Sequence, residues 1–330
     1  MKGCERQMKS SNVGGQAVME GVMMRNGDKY AVAVRTQDQK IEIMTDDCKG
    51  IFKNKKLTKL PIIRGVLNFV DSLVLGMKTL SFSASFFEEE EDERDTGKRE
   101  KKELTVEQKE NQEKVFMGLT AAFSVVLAVG IFMLLPNLIA GLLRNITDSN
   151  AVIAVTEGVL RIAIFMCYLI MISQMKDIQR VFMYHGAEHK CINCIENGLT
   201  LNVENVMKCS KQHKRCGTSF IFYVLIISII VFTFIRVDTL LLRVGLRILL
   251  TPVIAGISYE MIKLAGRSEH KIVTLISKPG MLLQNLTTRE PEPDMAEVAI
   301  ASVEAVFDWK EYQRINFGKE FELNKEDVQA

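Results

Sequence analysis

The chain has 330 residues, with 42 Lys and Arg against 40 Asp and Glu, a formal net charge of +2. That near balance, with no basic stripe carrying interleaved aromatics, excludes a nucleic-acid partner. Apolar residues make up 48% of the chain but gather in long runs between charged stretches, which excludes one water-soluble core and points to a membrane protein.

Residues 1–60 read as a cytoplasmic N-terminal part. The opening text, MKGCERQMKSSNVGG, lacks the apolar stretch of a secretion signal. The seven cysteines are therefore expected to be reduced thiols facing the cytosol rather than a disulfide framework. Tyr30–Arg35 and Lys40–Met44 carry strand formers, and Asn26-Gly27 and Gln37–Gln39 supply turns, so a small β-hairpin is expected. Pro61 opens an amphipathic helix over 61–87. Ile62, Ile63, Val66, Leu67, Val70, Leu73, Val74 and Met77 lie opposite Arg64, Asn68, Asp71 and Lys78, a pattern suited to a membrane interface or the side of a bundle. Residues 88–114 begin with the acidic run Glu88–Asp92 and read as a solvated linker, either a flexible tether or an exposed helix.

A membrane bundle is expected over 115–265. Its segments are Val115–Leu143, with a break or kink at Pro136, then Ala151–Met175, Gly217–Ile235 and Leu240–Ala265. Glu157 and Arg161 stand one turn apart in the second and are placed to pair. Arg243, Arg247 and Glu260 interrupt the fourth. The connector 176–216 has an excess of Lys and Arg, so the positive-inside rule puts it and both termini in the cytoplasm. Residues 266–330 form a tail in which Pro291 and Pro293 fix an extended arm before a helix over Met295–Phe307. The predicted fold class is mainly α, a polytopic membrane protein with about four transmembrane helices, one amphipathic helix and a small β-containing cytoplasmic part. The bilayer is its expected partner. The charged linker and tail suit a protein partner or a homo-oligomer.

The connector carries the chemistry. The chain has 4 His and 7 Cys, and this stretch holds His185, His189, His213, Cys191, Cys194, Cys209 and Cys216. If the second span continues as helix to Asn197-Gly198, His185 and His189 fall one turn apart on one face, a natural ligand pair for zinc or a similar divalent metal. Glu188 sits beside them. H-x-x-E-H is the inverse of the zinc-protease H-E-x-x-H pattern, in which the Glu is a general base. The third ligand is open between His213, in the same connector, and Glu260. A rival arrangement is a structural zinc site from Cys191, Cys194, Cys209, His213 and Cys216. Cys4, Cys48 and Cys167 read as ordinary small residues. Thr218 or Ser219 is placed to cap the third span.

Four separated stretches carry a resemblance. They are Gly14–Arg25 (GGQAVMEGVMMR), His185–Lys190 (HGAEHK), Arg215–Phe220 (RCGTSF) and Leu286–Pro291 (LTTREP). Together, across nearly the whole chain, they look like the YqhQ-like bacterial membrane proteins, a family of unknown function labelled as predicted metal-dependent enzymes. The resemblance implies a bacterial plasma-membrane protein whose polar motif residues are Glu20, Arg25, His185, Glu188, His189, His213, Arg215 and Glu260. It also implies that Cys191 and Cys194 are not regular features, which favours histidine ligands.

The function expected is a metal-dependent, zinc-type hydrolase at the cytoplasmic membrane face. His185, His189, His213 and Glu260 are its candidate ligands, and Glu188, Glu20 and Arg25 its candidate catalytic groups. The alternative is a non-enzymatic scaffold or accessory subunit with a structural polar or metal site. A transporter is a third reading, kept by the charges inside the spans.

Overall fold

The computed structural model describes residues 9–48, 50, 60–87, 106–235, 237, 239–268 and 270–321. The linker expected over 88–114 lies outside them up to residue 105. Four strands form near the N-terminus: β1 Gly14–Val18, β2 Gly21–Asn26, β3 Lys29–Arg35 and β4 Ile41–Asp47. They pair antiparallel in the order β1-β2-β3-β4. The expected hairpin is β3–β4, with Val32 opposite Met44. The glycine-rich text before it, which local sequence reads as a turn, supplies two more strands.

Eleven helices follow among the described residues, beginning with α1 Ile63–Ala84, α2 Val106–Val129, α3 Leu135–Gly141, α4 Asn150–Ile172 and α5 Lys176–Glu196. After α6 Val203–Lys208 come the long α7 Gly217–Phe234 and α8 Leu240–Arg267. The last three are α9 Lys271–Thr287, α10 Pro293–Glu304 and α11 Trp309–Phe317. Four segments are long and apolar enough to cross a membrane: Gly118–Gly141, Ala151–Ile172, Gly217–Phe234 and Leu241–Arg267. The protein is therefore a mainly helical, membrane-type chain with a small antiparallel sheet.

Contacts divide the chain into two compact units: Met1–Phe87, Ser173–Tyr223 and Ala255–Ala330 in one, Glu88–Ile172 and Val224–Ile254 in the other. In the first, the sheet is covered on both faces, and strand alternation decides what each face meets. Val22, Met24 and Ala33 join a core with Tyr184, Ala187, Cys191 and Ile195 of α5 and Met295, Ala299 and Val303 of α10. Met23, Tyr30, Val32 and Val34 turn the other way and pack with Leu75 of α1. α1 also packs on α8, where Gly65 and Gly256 lie so close that a Cβ on Gly65 would stand 2.9 Å from the Gly256 Cα. Arg64 holds Glu260 through bonds of 2.6 and 2.5 Å.

α5 is a separate helix, not the expected extension of α4. The chain breaks at Ser173–Met175, and Met175 is extended at ψ 129°. Asp177 in the first turn of α5 favours a helix start there. The helix ends at Glu196, and Gly198 takes the left-handed φ of 66° expected of a helix stop. In α5, Gly186 lies under the backbone carbonyl of Arg289, which leaves no room for a Cβ. The Arg289 amide donates to the Phe182 carbonyl at 2.9 Å, so the chain after α9 is fastened along α5. Alanine in a helix normally stabilises relative to glycine. Here Gly186→Ala is expected to cost about 1–3 kcal/mol through overpacking, read as a lower thermal midpoint in detergent; an unchanged or raised midpoint would show that the two segments are not in contact.

The second unit is organised around buried charge. Pro136 has no N–H for the carbonyl of Phe132, four residues earlier. The helix widens into a π turn over Gly130–Leu134, and Arg161 Nε donates to the freed Phe132 carbonyl at 3.1 Å. The expected break at Pro136 is thus a widening within one span. Arg161 also donates to Glu157 at 2.7 Å, the pairing their spacing suggested, and Arg247 donates to both Glu157 oxygens at 2.5 and 2.8 Å. Asn137 adds a bond of 2.9 Å. Both guanidinium groups lie over the Phe232 ring, at 5.4 and 5.0 Å.

Candidate functional site

The site lies in the first unit, on the side of α5 turned away from the sheet. The helical spacing brings the His185 and His189 rings to 4.4 Å between centroids. Each ring is oriented by its Nδ1. In His185, Nδ1–H donates to the Thr287 carbonyl at 2.9 Å. In His189, it donates to the Lys211 carbonyl at 2.6 Å. A carbonyl only accepts, so both rings carry a proton on Nδ1, which in the neutral tautomer makes Nε2 the lone-pair nitrogen, the arrangement of metal-binding histidines. Cys216 Sγ stands 3.4 Å from His185 Nε2. In a tetrahedral zinc site, a nitrogen and a sulfur ligand stand about 3.6 Å apart. The donor atoms of His185, His189 and Cys216 all lie within 4.8 Å of one another, and this is the one such group among the described residues.

The surrounding chain holds these donors in place. Lys190 donates to the carbonyls of Met207 and Cys209 at 2.9 and 2.8 Å. Asn193 donates to those of Ser210 and Gln212 at 2.7 and 2.9 Å. Together they wrap the loop 209–213 onto α5 and set the Lys211 carbonyl. Gln284 of α9 clamps the His213 backbone, accepting from its amide at 2.9 Å and donating to its carbonyl at 2.8 Å. Cys216 immediately precedes α7, where helix amides favour negative charge, and the Thr218 amide donates to its Sγ at 3.4 Å.

Glu188 is buried beside this group. A Cβ on Gly15 of β1 would stand 3.0 Å from the Glu188 carboxyl carbon, so the glycine allows the close approach. Burial pushes the Glu188 carboxyl up to about 7, against the pull of His185 and the Gly15 amide.

The other expected residues lie elsewhere. Glu20 reaches α5, bound by Arg180 at 2.5 Å and Tyr184 at 3.3 Å rather than by the histidines. Arg25 donates to the Gly27 carbonyl. Glu260 is held by Arg64, not by the histidine group. The His213 ring is 5.7 Å from that of His189, but its Nε2 faces Glu196 at 3.4 Å. Cys191 and Cys194 are buried in the core between α5 and the sheet, and Cys209 donates to the Asn205 carbonyl. Cys194 and Cys209 stand in side-chain hydrogen-bond contact, but among the described residues the donors of the cysteine-rich arrangement do not gather into one ligand group.

Glu196, not singled out in the sequence, is the hub of a second network. It accepts from the Ser11 amide and hydroxyl at 2.7 and 2.8 Å and from Arg215 at 2.6 Å. Burial raises its carboxyl, but His213 and Arg215 outweigh that and hold it at about 2. Burial lowers His213 to about 4 against the opposing pull of Glu196. Its seven-residue spacing from His189 on one helix was the available signal.

This network predicts an acid response. The unfolded His213 titrates at 6.5 and the folded one at about 4, so between those values the unfolded chain binds the extra proton. Stability is then full above 6.5 and falls as the pH drops toward 4, by about 3 kcal/mol. Glu196 acts in the same direction, lower, between 4.5 and 2. His213→Gln should flatten the upper part of a stability-versus-pH curve and shrink the lower part, because His213 helps to hold the Glu196 carboxyl down; an unchanged curve would remove His213 as its source.

Residues 60–309 match a family described as a protein of unknown function, DUF1385. A relative from Bacillus subtilis (strain 168), named uncharacterized protein YqhQ, is 35% identical over 292 residues, covering 88% of this chain and 90% of its own. No solved structure matches. A family match over most of the chain, which takes in three of the four motifs, and a relative of this identity both span α5 and the start of α7: the chain belongs to the DUF1385 family of YqhQ-like membrane proteins.

Proposed function

We propose that this protein is a metal-dependent hydrolase anchored in the bacterial plasma membrane, with its site on the cytoplasmic face. One observation carries the reading: two imidazoles, each with Nδ1 tied to a backbone carbonyl, bring a ring nitrogen apiece together with the sulfur of Cys216 within 4.8 Å of one another, His185 through its Nε2. Two nitrogens and one sulfur are a donor set found in catalytic zinc sites, leaving a fourth position for water or substrate. His185, His189 and Cys216 hold the ion. His213 and Glu260, the third ligands sought in the sequence, are engaged with Glu196 and Arg64 instead. When bound, a divalent ion there supplies a Lewis acid that acidifies water and polarises a scissile carbonyl or phosphoryl group. Glu188, shielded by burial and titrating near neutrality, is suited to take a proton from attacking water and return it to the leaving group. The excess of Lys and Arg over 176–216 supports the cytoplasmic placement.

The test is elemental analysis of protein purified in detergent without chelators. Wild type is expected to carry one transition-metal ion per chain and the His185→Ala/His189→Ala variant none. A metal-free wild type that takes up no zinc or cobalt on dialysis would end the proposal. A bound ion with no turnover of ester, amide or phosphoester substrates would favour a structural ion site.

A further inference from the structure

Two helices of the first unit are built inside-out for an aqueous protein. Along α9 the buried positions are Ser277, Gly280, Gln284 and Thr287. Its exposed large side chains are Ile272, Leu275, Ile276 and Leu282, between 45% and 64% accessible. α1 repeats the pattern. Gly65, Gly76, Thr79 and Ser83 are buried with a single leucine, Leu75, while Leu73, Val74, Met77 and Leu80 are exposed. In water, an amphipathic helix turns its apolar stripe to the core. Small and polar residues inside with aliphatic residues outside is how helices pack in lipid.

The position of α9 agrees. Its Gly280 lies against Ser219, where a Cβ would stand 3.0 Å from the hydroxyl, and its Ser277 is bonded by the Tyr223 hydroxyl at 3.1 Å. Ser219 and Tyr223 are two and six residues inside α7, a segment able to span a membrane. At a rise of 1.5 Å per residue, α9 packs on roughly the first 9 Å of that span. Its exposed leucines are thus continuous with a surface already suited to lipid. Lys271 and Lys278 are exposed on the same helix, and their long stems can carry the ammonium groups to lipid headgroups. The C-terminal end of α9 is part of the site. The Thr287 carbonyl orients His185, and its hydroxyl bonds that of Thr218 at 2.9 Å.

We propose that α9 and α1 are inserted in the leaflet on the sheet's side, and that the substrate of the His185–His189–Cys216 centre is a membrane-resident amphiphile. It arrives laterally along the bilayer and presents its polar end at headgroup level. The substrate assignment rests on the metal reading above; the insertion does not.

The experiment uses full-length protein, with Cys4, Cys48, Cys167 and Cys209 replaced by serine, in vesicles of phosphatidylethanolamine and phosphatidylglycerol. Nitroxide labels are placed by Leu275→Cys, Leu282→Cys and, as an aqueous reference on β4, Glu42→Cys. Labels at 275 and 282 should collide with oxygen in preference to a water-soluble nickel chelate, with the reverse at 42. Nickel collision at 275 and 282 equal to that at 42 would overturn the insertion. Shielding from both reagents would do so too, because it would mean that protein covers the face. Access to the site is read on cobalt-loaded protein. Palmitoyl hydroxamate in the vesicles should perturb the cobalt absorption at a bulk concentration at least tenfold below acetohydroxamate. Equal potency would overturn the amphiphile assignment. Failure to take up cobalt would fell the metal reading and the substrate assignment with it, and the labels alone would then decide the insertion.

Discussion

Glu157→Gln is expected to lower the stability of the second unit by about 3–5 kcal/mol, the cost of leaving buried charge without its partner. Glu157 accepts from Arg161, Arg247 and Asn137 within apolar helices. An amide in its place offers one acceptor oxygen and no charge to two guanidinium groups. Those groups keep only the Phe132 carbonyl, the Ser228 hydroxyl and the Phe232 ring. For a unit of this size the loss corresponds to about 12–20 °C in thermal midpoint, measured in detergent by fluorescence-detected gel filtration after heating. Replacing the set together, Glu157→Leu with Arg161→Leu and Arg247→Met, should recover much of that loss, because no unpaired charge remains. A Glu157→Gln midpoint within 1 °C of wild type would mean that the glutamate does not neutralise the arginines.

Cys216→Ser is expected to weaken metal binding by at least 100-fold, whereas Cys191→Ser and Cys194→Ser should leave it within about threefold. Losing a direct thiolate ligand removes a metal bond; a change in outer groups costs about 10–100-fold at most. The comparison separates the two arrangements that the sequence leaves open, since a cysteine-rich site would need Cys191 and Cys194. Competition with a chelating dye gives the affinities. In the cobalt form, the sulfur-to-metal charge-transfer band should vanish with Cys216→Ser alone. A band that survives this variant and is lost with Cys191→Ser would place the ion in the core between α5 and the sheet, against the geometry found here.

The spans were legible because a membrane helix declares itself locally: an unbroken apolar stretch of sufficient length is a property of composition. The same is true of the amphipathic 61–87 segment and of the His185/His189 pair, whose one-turn spacing is a consequence of helical pitch. β1 and β2 were not legible. Gly14, Gly15 and Gly21 resemble turn residues, and their strand state depends on packing against α5 and β3. The start of α5 was missed for a similar reason, since helical periodicity alone does not mark a break at Ser173–Met175.

By itself, the sequence determined a helical membrane-type protein with two histidines one turn apart beside a carboxylate, because these follow from composition and from the 3.6-residue repeat. Tertiary structure alone decided which distant groups join them. Cys216 comes from the start of α7, the orienting carbonyl of Thr287 from the end of α9 and Gly15 from β1. Glu260 pairs with Arg64 across an α1–α8 contact. Such meetings depend on how far-separated segments pack together, and no local spacing encodes that packing.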